Sequence, residues 1–114
     1  METIELKFVR RDFDDGGWDE TFYIYGTYII HNPLGPAYRN SSGLIIYRIN
    51  DALHNEKGPA RIFSNGKTEY WLDGIRYFTK EEYDREISRR NTPARKMSIS
   101  EIEKELGYKI EIVS

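Results

Sequence analysis

The stretch Leu53–Ala60 reads LHNEKGPA, and a related stretch, Ile30–Ala37, reads IHNPLGPA. The two stretches lie 23 positions apart, and the offset persists beyond them, because Tyr47 precedes Tyr70 by the same number of residues. A fixed offset of this length is typical of a repeated supersecondary unit. We therefore expect the middle of the chain to be built from such repeats.

The second copy has the residue pattern of a β-meander. Asn65-Gly66 and Asp73-Gly74 are the residue types that tolerate positive φ in tight hairpin turns. The stretch between these turns, Thr68–Leu72 (TEYWL), is rich in β-branched and aromatic residues and predicts a strand. Short antiparallel strands joined by tight turns are the expected result.

The pattern differs on both sides of the repeats. Thr3–Arg11 alternates between apolar and polar residues and predicts a first strand. TKEE at 79–82 and SISE at 98–101 each have the form of a helix capping box, so we expect two helices, the first of which ends near Arg90. Tyr108–Val113 alternates again and predicts a last strand.

These patterns predict one domain, 1–114, of the α+β class. We expect an antiparallel β-meander built from repeats of about 23 residues, followed by two short helices and a C-terminal strand. The β-repeat region is expected at about 21–78, and the helical and strand region at 79–114.

Composition excludes several classes of protein. The chain has no cysteine, which excludes disulfides and thiolate metal sites and fits a reducing compartment. Its formal net charge of −2 argues against nucleic-acid binding driven by overall charge. No apolar run approaches the roughly 18 residues of a membrane helix, and the first residues do not form a signal peptide. We expect a cytoplasmic protein without a membrane partner.

The two copies resemble a loose family of short β-repeats. Its signature is Leu-His, two or three polar residues, Gly-Pro-Ala, and a later Trp/Tyr-Leu-Asn/Asp-Gly ending. Leu53–Tyr77 matches the signature well, whereas Ile30–Asn50 has Pro33-Leu34 in place of a charged pair. Similar repeats occur in many bacteriophage and large-virus proteins, and they are loosely similar to MORN-type repeats. The resemblance covers under half of the chain and implies a β-meander and a viral origin. It carries no known active site, so no catalytic residue is transferred to this chain.

His31 and His54 occupy equivalent positions, and two interpretations stay open. Imidazoles brought together by stacked repeats could bind a metal ion or transfer a proton. Alternatively, each histidine hydrogen-bonds the following turn and packs beside the proline of its own motif. Repetition favours the second interpretation, because a role present in every unit usually belongs to the unit. We expect no catalytic residue, no metal and no cofactor.

Aromatic and acidic residues are the candidates for protein binding. Adjacent rings such as those of Tyr70 and Trp71 cannot both face the core, because successive side chains of a strand point to opposite faces. Exposed Tyr, Trp and Arg carry binding energy at interfaces. The acidic stretch at 12–15 could bind a hard cation through its carboxylates or imitate nucleic-acid phosphates, and a solvated turn is favoured over both. The candidates are Trp18, Tyr47, Tyr70, Trp71, Asp12, Asp14 and Asp15.

A basic stretch supports a second hypothesis, which is nucleic-acid binding through phosphate contacts. Arg85 and Arg89 are four residues apart and share a helix face, but Asp84 and Glu86 dilute the positive field. The candidate residues are Arg85, Arg89, Arg90, Arg95 and Lys96.

We therefore expect a small non-enzymatic, phage-encoded protein that binds a host macromolecular complex in the host cytoplasm. It would modulate or inhibit that complex, for example as an anti-defence inhibitor. The alternatives are a nucleic-acid-binding accessory protein that uses the arginine-rich helix, and a structural protein that forms homo-oligomers through the C-terminal strand.

Overall fold

The structure is a computed structural model, and it describes residues 2–91 and 108–113. These ranges contain ten β-strands and one α-helix. The strands are β1 (Glu2–Asp12), β2 (Trp18–Ile24), β3 (Tyr38–Asn40), β4 (Ile45–Ile46), β5 (Arg48–Ile49), β6 (Ala52–Leu53), β7 (Arg61–Ile62), β8 (Thr68–Leu72), β9 (Ile75–Tyr77) and β10 (Tyr108–Val113). The helix, α1, spans Lys80–Arg90.

Eight of the strands form one sheet in the order β10-β1-β2-β3-β4-β7-β8-β9, while β5 and β6 pair with each other separately. Every pairing is antiparallel except that of β1 with β10, which is parallel. The principal extents are 51 × 37 × 19 Å.

Three hairpins reverse direction by the same turn at one end of the strands. In each turn, the first residue donates its N–H to the carbonyl four residues later, at 2.8, 3.1 and 2.8 Å. The fourth residue is a glycine with φ of 88°, 97° and 86°, a region that other residues enter only with strain. The turns are Phe13–Gly17, Asn40–Leu44 and Phe63–Lys67.

The connections at the other end of the strands contain the two histidine motifs. We name residues 31–37 the first loop and residues 54–60 the second loop. The Nδ1 atom of His31 accepts a hydrogen bond from the backbone N–H of Asn50 at 2.9 Å. His54 accepts one from Asp73 at the same distance. Each imidazole therefore ties its loop to the tight turn that comes 19 residues later.

The asparagine after each histidine closes the loop. Asn32 donates from Nδ2 to the carbonyl of Pro36 at 3.0 Å, and Asn55 donates to Pro59 at 2.9 Å. In both loops the asparagine Oδ1 accepts the N–H of the residue two positions later, at 3.0 and 2.9 Å. These side-chain bonds fold the chain locally as an Asx turn.

The buried apolar core is small. Both alanines of the Gly-Pro-Ala sequences, Ala37 and Ala60, are completely buried, because each loop lies directly against the sheet. Their backbone N–H groups donate to strand-side carbonyls at 2.9 Å. The buried apolar residues are Leu6, Ala37, Leu53, Ala60, Leu72 and Tyr83.

Helix α1 begins as the sequence predicts. The Thr79 hydroxyl accepts the N–H of Glu82 at 3.1 Å, so the predicted N-terminal cap is confirmed. Tyr83 is the buried residue of the helix, and its ring centroid lies 4.6 Å from that of Tyr70 on β8. This contact attaches the helix to the sheet.

The predicted α+β architecture is wrong. The described residues form a mostly antiparallel sheet with one short helix, and the second predicted helix, near 98–106, lies outside the described residues. The 23-residue unit also does not generate the sheet as a meander. The strands β1 and β2 have 11 and 7 residues, whereas β5 and β6 have two each and leave the main sheet.

The error has a physical cause. The repeated motif specifies side-chain hydrogen bonds within loops and turns, whereas strand length depends on pairing with neighbouring strands. The longest strand, β1, pairs on both sides, with β2 and with β10. It lies outside both copies of the motif. The predicted last strand is confirmed at Tyr108–Val113 and lies at an edge of the sheet.

Candidate functional site

Strands β7, β8 and β9 bring arginine, glutamate and tryptophan together on one face of the sheet. Arg61 is paired with Glu69 across β7 and β8, and Trp71 is paired with Arg76 across β8 and β9. Directly paired residues project to the same face, as do residues two apart on a strand. These four side chains therefore share a face, and Tyr70 points to the other one.

Glu69 lies at the centre of this group. Its carboxylate accepts a hydrogen bond from Nε1 of Trp71 at 3.0 Å. It also forms ion pairs with Arg61 at 3.1 Å and with Arg76 at 3.5 Å. The Glu69 side chain is only 13% exposed, so one shielded carboxylate holds two guanidinium groups and an indole in fixed positions. The group has one more positive than negative charge.

Aromatic rings lie against both guanidinium groups. The Arg61 guanidinium is 5.6 Å from the ring centroid of Phe63 and 5.9 Å from that of Trp71. The Arg76 guanidinium is 4.6 Å from the ring of Phe78, which is 74% exposed. These distances are within the range of cation–π attraction. We name this surface the Trp71 face; its members are Arg61, Phe63, Glu69, Trp71, Arg76 and Phe78.

A second group of the same chemistry lies on β1, β2 and β3, and we name its members, Arg10, Trp18, Glu20 and Arg39, the Trp18 cluster. Glu20 is paired with Arg10 on one side and with Arg39 on the other. The two guanidinium groups lie 4.7 and 5.5 Å from the ring of Trp18. The hydrogen bond from Arg39 lowers the pKa of the Glu20 carboxyl.

The strand register places the Trp18 cluster and the Trp71 face on opposite sides of the sheet. Arg39 is paired with Ile45, and Ile45 is paired with Ile62, so all three share the face of the Trp18 cluster. Arg61 is the neighbour of Ile62 along β7 and points the other way.

The four aromatic residues predicted for protein binding do not form one surface. Trp18 is half-buried between the two arginines of its cluster. Tyr47 is half-buried, and its backbone bonds the second loop at Ala60. Tyr70 packs against the helix, and only Trp71 belongs to the Trp71 face.

The three predicted acidic residues have different roles. Asp12 forms an ion pair with Arg10 at 3.2 Å and is paired with Trp18 across β1 and β2. Asp15 accepts the N–H of Gly17 at 2.8 Å within the first hairpin turn. Asp14 is exposed at the same turn. These contacts are those of a solvated turn.

Two of the residues predicted for nucleic-acid binding, Arg89 and Arg90, have acidic partners. Arg89 pairs with Glu86, and its hydrogen bond lowers the pKa of the Glu86 carboxyl. Arg90 pairs with Asp73 at 3.0 Å, while Arg85 is exposed. Arg95 and Lys96 lie outside the described residues.

The two histidines are held in separate loops as hydrogen-bond acceptors. His31 is completely buried, and this burial lowers its pKa. His54 remains 15% exposed at its side chain, near Glu56. Within 2–91 and 108–113, no group of three or more histidine, aspartate or glutamate side chains is arranged to hold a metal ion.

Of the residues in the Trp71 face, the sequence pattern predicted Trp71 alone as a binding residue. A usable signal was present, because the two-residue turn at Asp73-Gly74 determines that Trp71 and Arg76 are paired. The contribution of Arg61 depends instead on the pairing of β7 with β8, which the motif does not specify.

The helix in the described part of the chain is not long and apolar enough to cross a membrane. The resemblance to phage and viral β-repeats stays a prediction. Comparison of the chain with protein families, with curated proteins and with solved structures finds no match.

Proposed function

We propose that the protein is a non-enzymatic binding protein whose Trp71 face contacts a partner protein. The supporting observation is that aromatic rings and guanidinium groups alternate on one accessible sheet face around a single shielded carboxylate. Tryptophan and arginine are the side chains most enriched among residues that dominate binding energy.

The ion pairs favour binding because they order the arginines in advance. Fixing a long side chain at an interface costs about 0.5–1.5 kcal/mol, and a side chain already held by a carboxylate avoids part of that cost. Each guanidinium carries five N–H donors in a planar fork, so donors remain for a partner after Glu69 is satisfied. An acidic surface of the partner would complement the net positive charge.

Phe78 supplies the apolar part of the contact. Its side chain is 74% exposed beside Arg76, so a partner that covers it removes an aromatic ring from water. Burying apolar area stabilises a complex by about 25 cal/mol per Å² before the costs of association. A flat contact of this kind blocks or holds a surface of the partner and requires no chemical reaction.

The partner class follows from the resemblance to phage repeats. A host macromolecular complex in the host cytoplasm is the proposed target, and inhibition of a defence or regulatory complex is the proposed outcome. Occupation of a functional surface of that complex is sufficient as a mechanism.

The experiment is affinity capture from a bacterial host lysate, with and without nuclease, using the full chain and surface variants. We expect the captured protein to be lost, by at least about tenfold, in Phe78→Ala and in Arg76→Glu, because each removes a contact of the Trp71 face. Tyr28→Ala is the matched control, since Tyr28 is 93% exposed and lies elsewhere.

Equal capture by all three variants would contradict the proposal. Recovery that disappears with nuclease would instead favour nucleic-acid binding, and Arg89→Ala with Arg90→Ala would then be the relevant variants.

A second candidate function is self-assembly, which the position of β10 at the edge of the sheet favours. An edge strand presents unpaired backbone groups that can pair with another chain. Light scattering at increasing protein concentration tests this function. A mass that stays that of one chain would count against it.

A further inference from the structure

The second loop holds a tyrosine side chain from the helix. The hydroxyl of Tyr83 donates to the carbonyl of Asn55 at 2.6 Å and accepts the N–H of Gly58 at 3.1 Å. A hydroxyl can do both at once, because it carries one donor and accepting lone pairs. The ring of Tyr83 is buried against Tyr70. We call the two backbone groups that bind this hydroxyl, the Asn55 carbonyl and the Gly58 N–H, the hydroxyl seat of the second loop.

The first loop has the same local structure. Asn32 makes the two side-chain hydrogen bonds that Asn55 makes, and the distances agree within 0.1 Å. A Cβ atom added at Gly35 would lie 3.9 Å from the amide nitrogen of Asn32. The equivalent distance from Gly58 to Asn55 is 3.8 Å. The carbonyl of Asn32 and the N–H of Gly35 therefore correspond to the two atoms that Tyr83 bonds.

The Asn32 carbonyl and the Gly35 N–H differ from the corresponding atoms of the second loop, which both bond the hydroxyl of Tyr83. In both loops the two atoms face each other across a tight turn, at 33–34 and at 56–57, but among residues 3–91 no side chain bonds the Asn32 carbonyl or the Gly35 N–H. Asn32 is only 7% exposed, and Gly35 is half-buried. A carbonyl oxygen has two lone pairs, so the turn leaves the Asn32 carbonyl able to accept a hydrogen bond from a hydroxyl. The first loop has the seat without the tyrosine.

Apolar surface for an aromatic ring lies next to this loop. A groove of about 250 Å³ has Asn32 and Pro36 of the first loop in its wall. The rings of Phe8 and Phe22, whose centroids are 5.1 Å apart, form another part of the wall. The remaining lining residues, Glu20 and Arg39, are ion-paired with each other. A pocket of this kind is mostly apolar with a few fixed polar groups, as ligand sites usually are.

We infer that the first loop is a binding site for a tyrosine side chain of a partner protein. The phenol hydroxyl donates to the carbonyl of Asn32 and accepts the N–H of Gly35, as Tyr83 does in the second loop. The adjacent donor and acceptor select a hydroxyl, because a carboxylate cannot donate and an ammonium cannot accept. The site shares no residue with the Trp71 face and does not depend on that proposal.

The first test is a titration of the isotope-labelled full chain followed by amide NMR signals. The probes are N-acetyl-tyrosinamide and N-acetyl-phenylalaninamide, which differ only in the hydroxyl group. We expect the Gly35 amide signal to move saturably with the tyrosine probe and to respond about tenfold more weakly to the phenylalanine probe, since two hydrogen bonds are lost. No movement at Gly35, or equal responses to both probes, overturns the inference.

The second loop provides an internal control. In the unaltered protein its seat is filled, so the Gly58 amide should not respond to the tyrosine probe. In Tyr83→Ala the seat is opened, and the Gly58 signal should then respond as Gly35 does. A response at Gly58 without one at Gly35 would show that the loops are not equivalent and would overturn the inference. If Tyr83→Ala does not fold, the comparison of the two probes on the unaltered chain still tests the inference at Gly35.

A dilution series without probe tests whether a second copy of this chain occupies the first loop. Movement of the Gly35 signal with protein concentration alone would mean that a second copy of this chain fills the seat, which overturns the assignment to a different partner. Constant signals on dilution are the expected result.

Discussion

The first and second loops make the same hydrogen bonds in different surroundings. His31 and His54 accept the same backbone bond at 2.9 Å, yet His31 is completely buried and the side chain of His54 is 15% exposed. His54 lies near the carboxylates of Asp73 and Glu56, at 3.2 and 3.7 Å. The motif therefore determines the internal bonds of a loop, and the neighbouring elements determine its burial and charge.

The two loops contact different neighbouring elements. The first loop is flanked by β2, where Phe22 exchanges backbone hydrogen bonds with His31 and Ala37 at 3.0 and 2.8 Å. The second loop exchanges the equivalent bonds with Tyr47, but helix α1 also contacts it through Tyr83. The first loop lies against β2 with a groove beside it, whereas the second loop is closed by a helix that comes later in the chain.

The largest expected effect separates the two histidines. His31→Ala should lower the free energy of unfolding by about 3 kcal/mol, because it leaves a cavity in place of a completely buried ring and removes the hydrogen bond to the Asn50 N–H. His54→Ala should cost about 1 kcal/mol, since water can replace the lost bond. Urea unfolding followed by tryptophan fluorescence measures both. Equal losses would contradict the difference in surroundings.

The asparagines extend the comparison at a smaller scale. Asn32→Ala should cost about 2 kcal/mol and Asn55→Ala about 1 kcal/mol, because each removes two hydrogen bonds but only Asn32 is buried. The same unfolding assay applies, with Ser64→Ala at an exposed turn as the control. A larger loss for Asn55 would show that the helix contact matters more than burial.

Lower pH should reduce the stability that His31 contributes to the first loop. Burial lowers the pKa of His31 below its ordinary value of 6.5, so the folded protein binds fewer protons there than the unfolded chain. Stability contributed by neutral His31 is therefore complete above pH 6.5 and is lost as the pH falls from 6.5 toward 5, by up to about 1.4 kcal/mol per pH unit.

The check is urea unfolding at several pH values between 5 and 7.5 for the unaltered chain and for His31→Asn. The slope should flatten in the variant. This range lies above the ordinary pKa values of aspartate and glutamate, so the lowered pKa values of Asp19 and Glu20 do not produce the slope. An unchanged slope would mean that another group takes up the protons.

The smallest expected effect concerns the second loop alone. Tyr83→Phe should cost about 1 kcal/mol, because the ring stays and only the bonds to Asn55 and Gly58 are lost. Amide hydrogen exchange at Gly58 should become faster, whereas exchange at Gly35 should not change. Faster exchange at both glycines would show that the helix stabilises the whole sheet rather than one loop.

Local chemistry explains which predictions succeeded. The cap at Thr79 and the turn at Asp73-Gly74 were read directly from residue type, because a hydroxyl acceptor and a residue that tolerates positive φ act within four residues of chain. The fold class failed for the opposite reason. Strand length and sheet order depend on pairing between segments that the motif does not describe.

The same limit applies to the candidate site. Trp71 could be selected because adjacent rings on a strand must point to opposite faces. The other members of the Trp71 face could not be assembled, since Arg61 and Arg76 reach Glu69 from two different strands. Likewise, Tyr47 and Tyr70 are both candidates for protein binding by residue type, and the pattern does not show that Tyr70 packs against Tyr83 of the helix.

The sequence by itself determined the loops, the turns and the helix start, because their hydrogen bonds join residues that are close in the chain or lie at a fixed repeat offset. Tertiary structure decided what each of these features does. It buried His31, placed the Tyr83 hydroxyl in the second loop and left the equivalent atoms of the first loop without a side-chain partner among residues 3–91. The physical reason is that burial and pairing are set by neighbouring strands and the helix, and those neighbours are chosen only when the whole sheet forms.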